Sequence, residues 1–213
     1  MPRPRFQKLS TARREQILET AAREFAHHGF DGASLNHILG AAGLSKGAAY
    51  YYFDDKADLF TEVVRHYFFE HVANDAGLQV DSLDADSYWP TFFEFYRQTI
   101  LHVREDPWMS GLARAVWKLP HEARREDGPL GRLYAFGRAW LEGLLTRGQE
   151  LGVVRTDLPS DLMIALLIAL DEATDHWFAE HLDSMRQDQL DEMVGALMDT
   201  LRSMLLPRRE PRP

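Results

Sequence analysis

Apolar residues recur at three- and four-residue spacing along almost the whole chain, while alternating β-branched runs are nearly absent, so the side chains have to be buried between packed helices. Pro and Gly mark the limits. A first helix opens near Ser10 or Thr11, turns Ile17, Leu18, Ala21, Ala22, Phe25 and Ala26 inward, and stops at Gly29, a residue suited to a left-handed C-terminal position. A second is capped by Ser34, buries Leu35, Ile38, Leu39 and Ala42, and ends at Gly43. Ser45 caps a third, which runs to about Phe53. Asp54-Asp55 then opens a fourth, with Asp58 in its first turn and Leu59, Val63 and Phe68 carrying it towards Ala73.

An Asp-rich, aperiodic stretch from Leu78 to Ser87 reads as a loop between two lobes. Five further helices follow: Tyr88 to Arg104, Pro107 to Pro120, Pro129 to Leu151 with Gly152 as its stop, Ser160 to His181, and a last one capped by Ser184 with Gln187 at the capping-box position. The last carries Leu190, Val194, Leu197, Leu201 and Leu205 as one stripe, with Met193, Met198 and Met204 beside it. The expected fold is all-α, about nine helices. Residues 1–56 form a three-helix head, 57–206 a larger helical body, and 207–213 a frayed Pro/Arg-rich tail.

Composition narrows the function. With 45% hydrophobic and 27% charged residues in 213, and no apolar run near the ~20 residues of a membrane span, the chain reads as globular and cytoplasmic, without a secretory signal. No cysteine is present, which excludes thiolate nucleophiles and Cys-based zinc sites. The formal net charge is -9, but it is unevenly spread: residues 1–56 hold eight Lys/Arg against six Asp/Glu, net +2, leaving sixteen against twenty-seven, net -11. A mildly basic head on an acidic body suits a protein that touches phosphates at one end.

Ala42-Gly43-Leu44-Ser45 is short enough to set the third helix steeply across the second, as a helix-turn-helix requires. The second helix of such a motif enters the major groove of DNA by its N-terminal residues. Gly47 and Ala48 let the backbone approach closely, Lys46 supplies charge, and free amides at the helix start favour an anion. Tyr50, Tyr51 and Tyr52 lie about 100° apart around the helix, so at most two face DNA. Arg13 and Arg14 sit where the helix dipole disfavours cations, which a nearby anion would explain and simple solvation would explain equally well.

No Gly-rich phosphate loop follows a strand, and neither G-x-S-x-G nor H-E-x-x-H occurs, so no enzymatic constellation, cofactor or metal site is expected. His66 with Glu70 and His176 with Glu180 have i, i+4 spacing, common by chance on solvated faces. A helical interaction module, or an enzyme-like small-molecule binder without specific DNA binding, is the alternative.

The run Leu35-Asn36-His37-Ile38-Leu39-Gly40-Ala41-Ala42-Gly43-Leu44-Ser45-Lys46-Gly47-Ala48-Ala49-Tyr50-Tyr51-Tyr52-Phe53-Asp54-Asp55-Lys56-Ala57-Asp58-Leu59-Phe60 closely resembles the signature of the TetR/AcrR family of transcriptional regulators. The resemblance implies phosphate contacts from Ser34, Ser45, Tyr50, Tyr52 and Lys56. It implies base-edge proximity for Lys46, Gly47, Ala48 and Tyr51, with Phe53 and Leu59 in the core; Asn36 is a further DNA-contact candidate. Many relatives carry His at the position of Tyr52. For the body the resemblance implies a small-molecule effector pocket and a homodimer through the last two helices, which would present two heads to a palindromic operator. Phe92, Tyr96, Trp117, Trp140 and Trp177 are the aromatic pocket candidates, and Asp171 and Asp175 continue an apolar face of Ile164, Ile168 and Phe178, where burial would call for a partner. The expected activity is repression relieved by a small hydrophobic effector.

Overall fold

A computed structural model describes residues 4–45, 51–71, 77–105, 107–119 and 130–208. Among these residues every regular element is helical: α1 (Pro4–Gln7), α2 (Thr11–Gly32), α3 (Leu35–Ala41), α4 (Lys56–Val64), α5 (Tyr88–Glu105), α6 (Pro107–Trp117), α7 (Gly131–Glu150), α8 (Ser160–His181) and α9 (Gln187–Leu205). The chain clusters into two compact units, one of residues 1–71 and 102–136, the other of 72–101 and 137–213.

In the first unit, α2 starts where Ser10 accepts the Arg13 N–H at 3.3 Å. Its inward face, Ile17, Leu18, Ala21, Ala22 and Phe25, is buried. Gly29 takes a φ of 69°, as a helix stop should, but the chain resumes one more turn to Gly32. Aromatic packing accounts for that turn: the Phe30 ring sits 5.2 Å from Phe60 and 6.4 Å from Phe25. Ser34 caps α3 by accepting the His37 N–H. The turn after α3 is a Schellman motif: Gly43 (φ 66°) donates to Gly40 O at 3.0 Å and Leu44 to Leu39 O at 2.7 Å. Asp55 caps α4 by accepting the Asp58 N–H at 2.7 Å, after which Leu59, Phe60 and Val63 are fully buried. The helix then widens to a π-helical stretch, Arg65–His71. Periodicity gives no sign of α1. It exists because Phe6, 1% exposed, lies 4.8 Å from Phe53.

In the second unit, the 78–87 stretch holds a single 3₁₀ turn, Val80–Ser82, and is fastened by Arg147, which donates to Leu83 O at 2.6 and 3.1 Å. Tyr88 is buried and donates to Leu144 O at 3.0 Å. Gly152 stops α7 with a φ of 71°. Ser184 does not cap α9: its hydroxyl donates to His181 O at the end of a 3₁₀ turn. The helix starts three residues later, where Gln189 accepts the Arg186 N–H at 3.0 Å. The 3₁₀ turn uses the residues that a cap at Ser184 needed. Leu190, Val194, Met198 and Leu205 form the buried face of α9.

Candidate nucleic-acid interface

Lys46, Gly47, Ala48, Ala49 and Tyr50 lie outside the described residues. The rest of the segment is placed. Ser34, Asn36 and Ser45 are exposed, and Tyr51 and Tyr52 form the described end of the third helix. Tyr51 is 44% exposed, with the Arg5 guanidinium 4.0 Å over its ring; Tyr52 is half-buried with its edge towards Phe6. Phe53 is core at 2% exposure. Of the two tyrosines, then, Tyr51 faces outward and Tyr52 packs.

Three polar contacts, none foreseen from spacing, hold the head in register. Arg13 donates to Gly43 O at 3.3 Å and to Gln16 at 2.6 Å, so within the chain its partners are a neutral carbonyl just past α3 and a neutral amide, not an anion. Lys56 donates to Asp31 O and Ala33 O at 3.0 and 3.2 Å, tying the start of α4 to the end of α2. Glu24 is 9% exposed and accepts both the Ser34 N–H at 3.1 Å and His37 Nδ1 at 2.6 Å. Burial works against the Glu24 charge, yet the Ser34 and His37 contacts outweigh it and hold the carboxyl below its ordinary value. A Glu on the inner side of an amphipathic helix was the only sequence signal for it.

His66 ties the π-helical stretch Arg65–His71 to α2. Its Nε2 lies 3.1 Å from a Glu15 oxygen on α2, and its Nδ1 lies 3.4 Å from Glu70. The two ring nitrogens face different carboxylates, which suits a bridging imidazolium rather than a chelate. Among the described residues no group of three or more His, Asp or Glu is placed to hold a metal. The Glu70 hydrogen bond raises the His66 pKa above the ordinary 6.5, burial opposes it, and Glu15 adds to the rise. A raised folded value means that this contribution is complete below 6.5 and is lost as pH climbs through the folded value. The melting-temperature gap between wild type and His66→Gln is therefore expected to be widest below pH 6.5 and to close at higher pH. Both carboxylates are over 40% exposed, so the gap should correspond to about 1 kcal/mol or less. A gap that stays flat with pH would show that the imidazolium is not the connecting charge.

The effector candidates divide. Trp117 belongs to the first unit and the other six to the second. Tyr96, Asp171 and Asp175 come together: the Tyr96 hydroxyl is 3.5 Å from Thr174, and burial first, then the two carboxylates, push its pKa up. Phe92 is buried beside Trp89, and Trp140 lies 5.2 Å from Phe95. Trp177 is 38% exposed and stacked on His181 at 4.4 Å.

Residues 17–63 match the family described as bacterial regulatory proteins, tetR family. The chain is 26% identical over 209 residues to the protein named "Probable acrEF/envCD operon repressor" of Escherichia coli, covering 91% of this chain and 87% of that one. It is 25% identical over 191 residues to the HTH-type transcriptional repressor AcnR of Corynebacterium diphtheriae, covering 90% and 92%. The fold is similar to that of the transcriptional regulator FadR from Bacillus subtilis, solved in complex with stearoyl-CoA. That likeness has a TM-score of 0.65 at 16% identity and covers 88% of this chain and 97% of that one.

Proposed function

The chain belongs to the TetR family of bacterial transcriptional regulators, and on that basis we propose that it is a homodimeric, cytoplasmic repressor released from a palindromic operator by a small hydrophobic effector. The observation that carries the reading is the segment from Leu35 to Phe60. A capped α3, a Schellman turn and a capped α4 bracket the residues 46–50 assigned to the groove, and Arg13, Glu24 and Lys56 brace that bracket against α2. DNA contacts are assigned to Ser34, Asn36, Ser45, Lys46, Gly47, Ala48, Tyr50, Tyr51, Tyr52 and Lys56. Lys56 has one of its three N–H donors left for a phosphate after its two carbonyls. Selection of bound duplex from random sequence tests the reading. A palindromic consensus is expected, and replacing Lys46 and Tyr50 by Ala should abolish preference for it; binding unchanged by that pair would sink the regulator reading.

Residues 57–206 are assigned to effector binding and dimerisation. Helix α8 supports the dimer: Leu162 and Leu166 are 45% and 41% exposed and continue through Ala169 and Ala173 to Trp177, an apolar stripe left exposed among the described residues. The alanines let a second helix approach closely. Leu166→Arg is expected to convert the dimer to monomer in sedimentation, and with it to weaken operator binding. A dimer that persists at micromolar concentration would place the interface elsewhere. For the effector, the stearoyl-CoA bound by the similarly folded FadR favours a ligand with a long apolar chain, and Phe92, Tyr96, Trp140, Asp171, Asp175 and Trp177 are the assigned contacts within the second unit.

A further inference from the structure

Most cations of the head spend donors on the protein itself. Arg13 is held by Gln16 and Gly43, Arg14 by Gln7 at 2.8 Å, and Lys56 by two carbonyls. Arg5 differs. It donates to no acceptor among the described residues, and its guanidinium carbon stands 4.0 Å over the Tyr51 ring. The neighbouring Phe6, 1% exposed against Phe53 and Tyr52, pins the backbone at this point, so Arg5 is fixed at both its main chain and its head.

A guanidinium held 4.0 Å over an aromatic ring keeps N–H donors that the ring does not use, and they are available to the oxygens of a phosphodiester. Stacking also restricts a side chain that otherwise loses rotamer freedom when it binds. Tyr51 is exposed and stands at the end of the segment assigned to the groove. We propose that Arg5 and Tyr51 form a stacked pair on the DNA-binding face, in which Arg5 donates to a backbone phosphate and Tyr51 holds the guanidinium in place. The inference rests on the DNA-binding reading above and adds the N-terminal turn α1 to the interface.

The test uses the full-length chain and a duplex recovered by selection with wild type, with affinity measured by fluorescence anisotropy across a potassium chloride series. Arg5→Ala should weaken binding by a similar factor on the selected duplex and on an unrelated one, and should lower the salt slope by about one for each phosphate that Arg5 neutralises. Arg5→Lys should keep the slope but bind more weakly, because an ammonium does not reproduce the stacked fork. Tyr51→Ala should weaken binding alone and cost less in the Arg5→Ala background than in wild type, because the part of its effect that runs through Arg5 is already lost there. Melting curves should be unchanged for Arg5→Ala, since Arg5 is exposed. Wild-type affinity and slope in Arg5→Ala overturn the proposal. So does weaker binding with an unchanged slope, which would make Arg5 only a support for Tyr51. A wild-type chain that selects no duplex overturns the underlying DNA-binding reading as well, and is recognised because wild type itself fails.

Discussion

Gly111→Leu is expected to destabilise the chain by about 3 kcal/mol, the upper end for overpacking a close contact, and so to lower its melting temperature by roughly 6–12 °C. Helix α6 crosses α2 at Gly111, where a Cβ would stand 2.7 Å from Ala26 O and 2.9 Å from Ala26 Cβ. Real Cβ atoms essentially never come that close. Relief cannot come from a side chain, because the obstacle is a carbonyl inside the α2 hydrogen-bond ladder, so α6 as a whole has to shift. A glycine inside a helix costs about 1 kcal/mol relative to alanine, and here close approach is what it provides. Gly143→Ala serves as the contrast at an open glycine. A Cβ at Gly143 on α7 meets nothing within 4 Å, so that change should stabilise by up to about 1 kcal/mol. Thermal melts of the two variants decide the matter, and a Gly111→Leu chain that melts with wild type would show that α6 is free to retreat.

Asp58→Ala is expected to cost about 2–3 kcal/mol, below the 3–5 kcal/mol typical of breaking a fully buried ion pair, because Arg132 is 48% exposed and recovers solvation. Asp58 itself is fully buried. One carboxylate oxygen accepts the Asp54 N–H at 3.2 Å, and the other lies 3.3 Å from Arg132 Nη1. The two roles separate by substitution. Asp58→Asn keeps an acceptor for Asp54 while removing the charge, so its cost should be smaller, and Arg132→Ala should fall below about 1 kcal/mol. If Arg132→Ala proves as costly as Asp58→Ala, the ion pair rather than the helix start is what Asp58 supports.

Stability changes at Gly111 and Asp58 bear on function because both residues position the bracket around the third helix. Asp58 fixes the residue pair, Asp54-Asp55, at which that helix gives way to α4. Gly111 sets α6 against α2, and α2 supplies Arg13 to the Schellman turn and Glu24 to the cap of α3. Loosening either should therefore blur DNA affinity before the whole chain unfolds.

Features that depend on one or two turns of chain are written in the residues of those turns. The caps at Ser10, Ser34 and Asp55, the positive-φ stops at Gly43 and Gly152, and the inward face of α2 are of this kind. The signature from Leu35 to Phe60 is equally local, which is why the DNA-binding assignment was legible there. Other features exist only because the fold brings distant residues together. The extra turn after Gly29 depends on Phe60, thirty residues on, and the start of α9 on a 3₁₀ turn competing for Ser184. The distant partners of Arg13, Glu24, Asp58 and His66, namely Gly43, Ser34, Arg132 and Glu15, lie 10 to 74 positions away. A polar side chain shows in sequence that it needs a partner, but distance along the chain carries no information about which oxygen the fold will bring within 3 Å. For the same reason Phe6 and Arg5, in a Pro/Arg run without periodicity, gained a role only once Phe53 and Tyr51 were beside them.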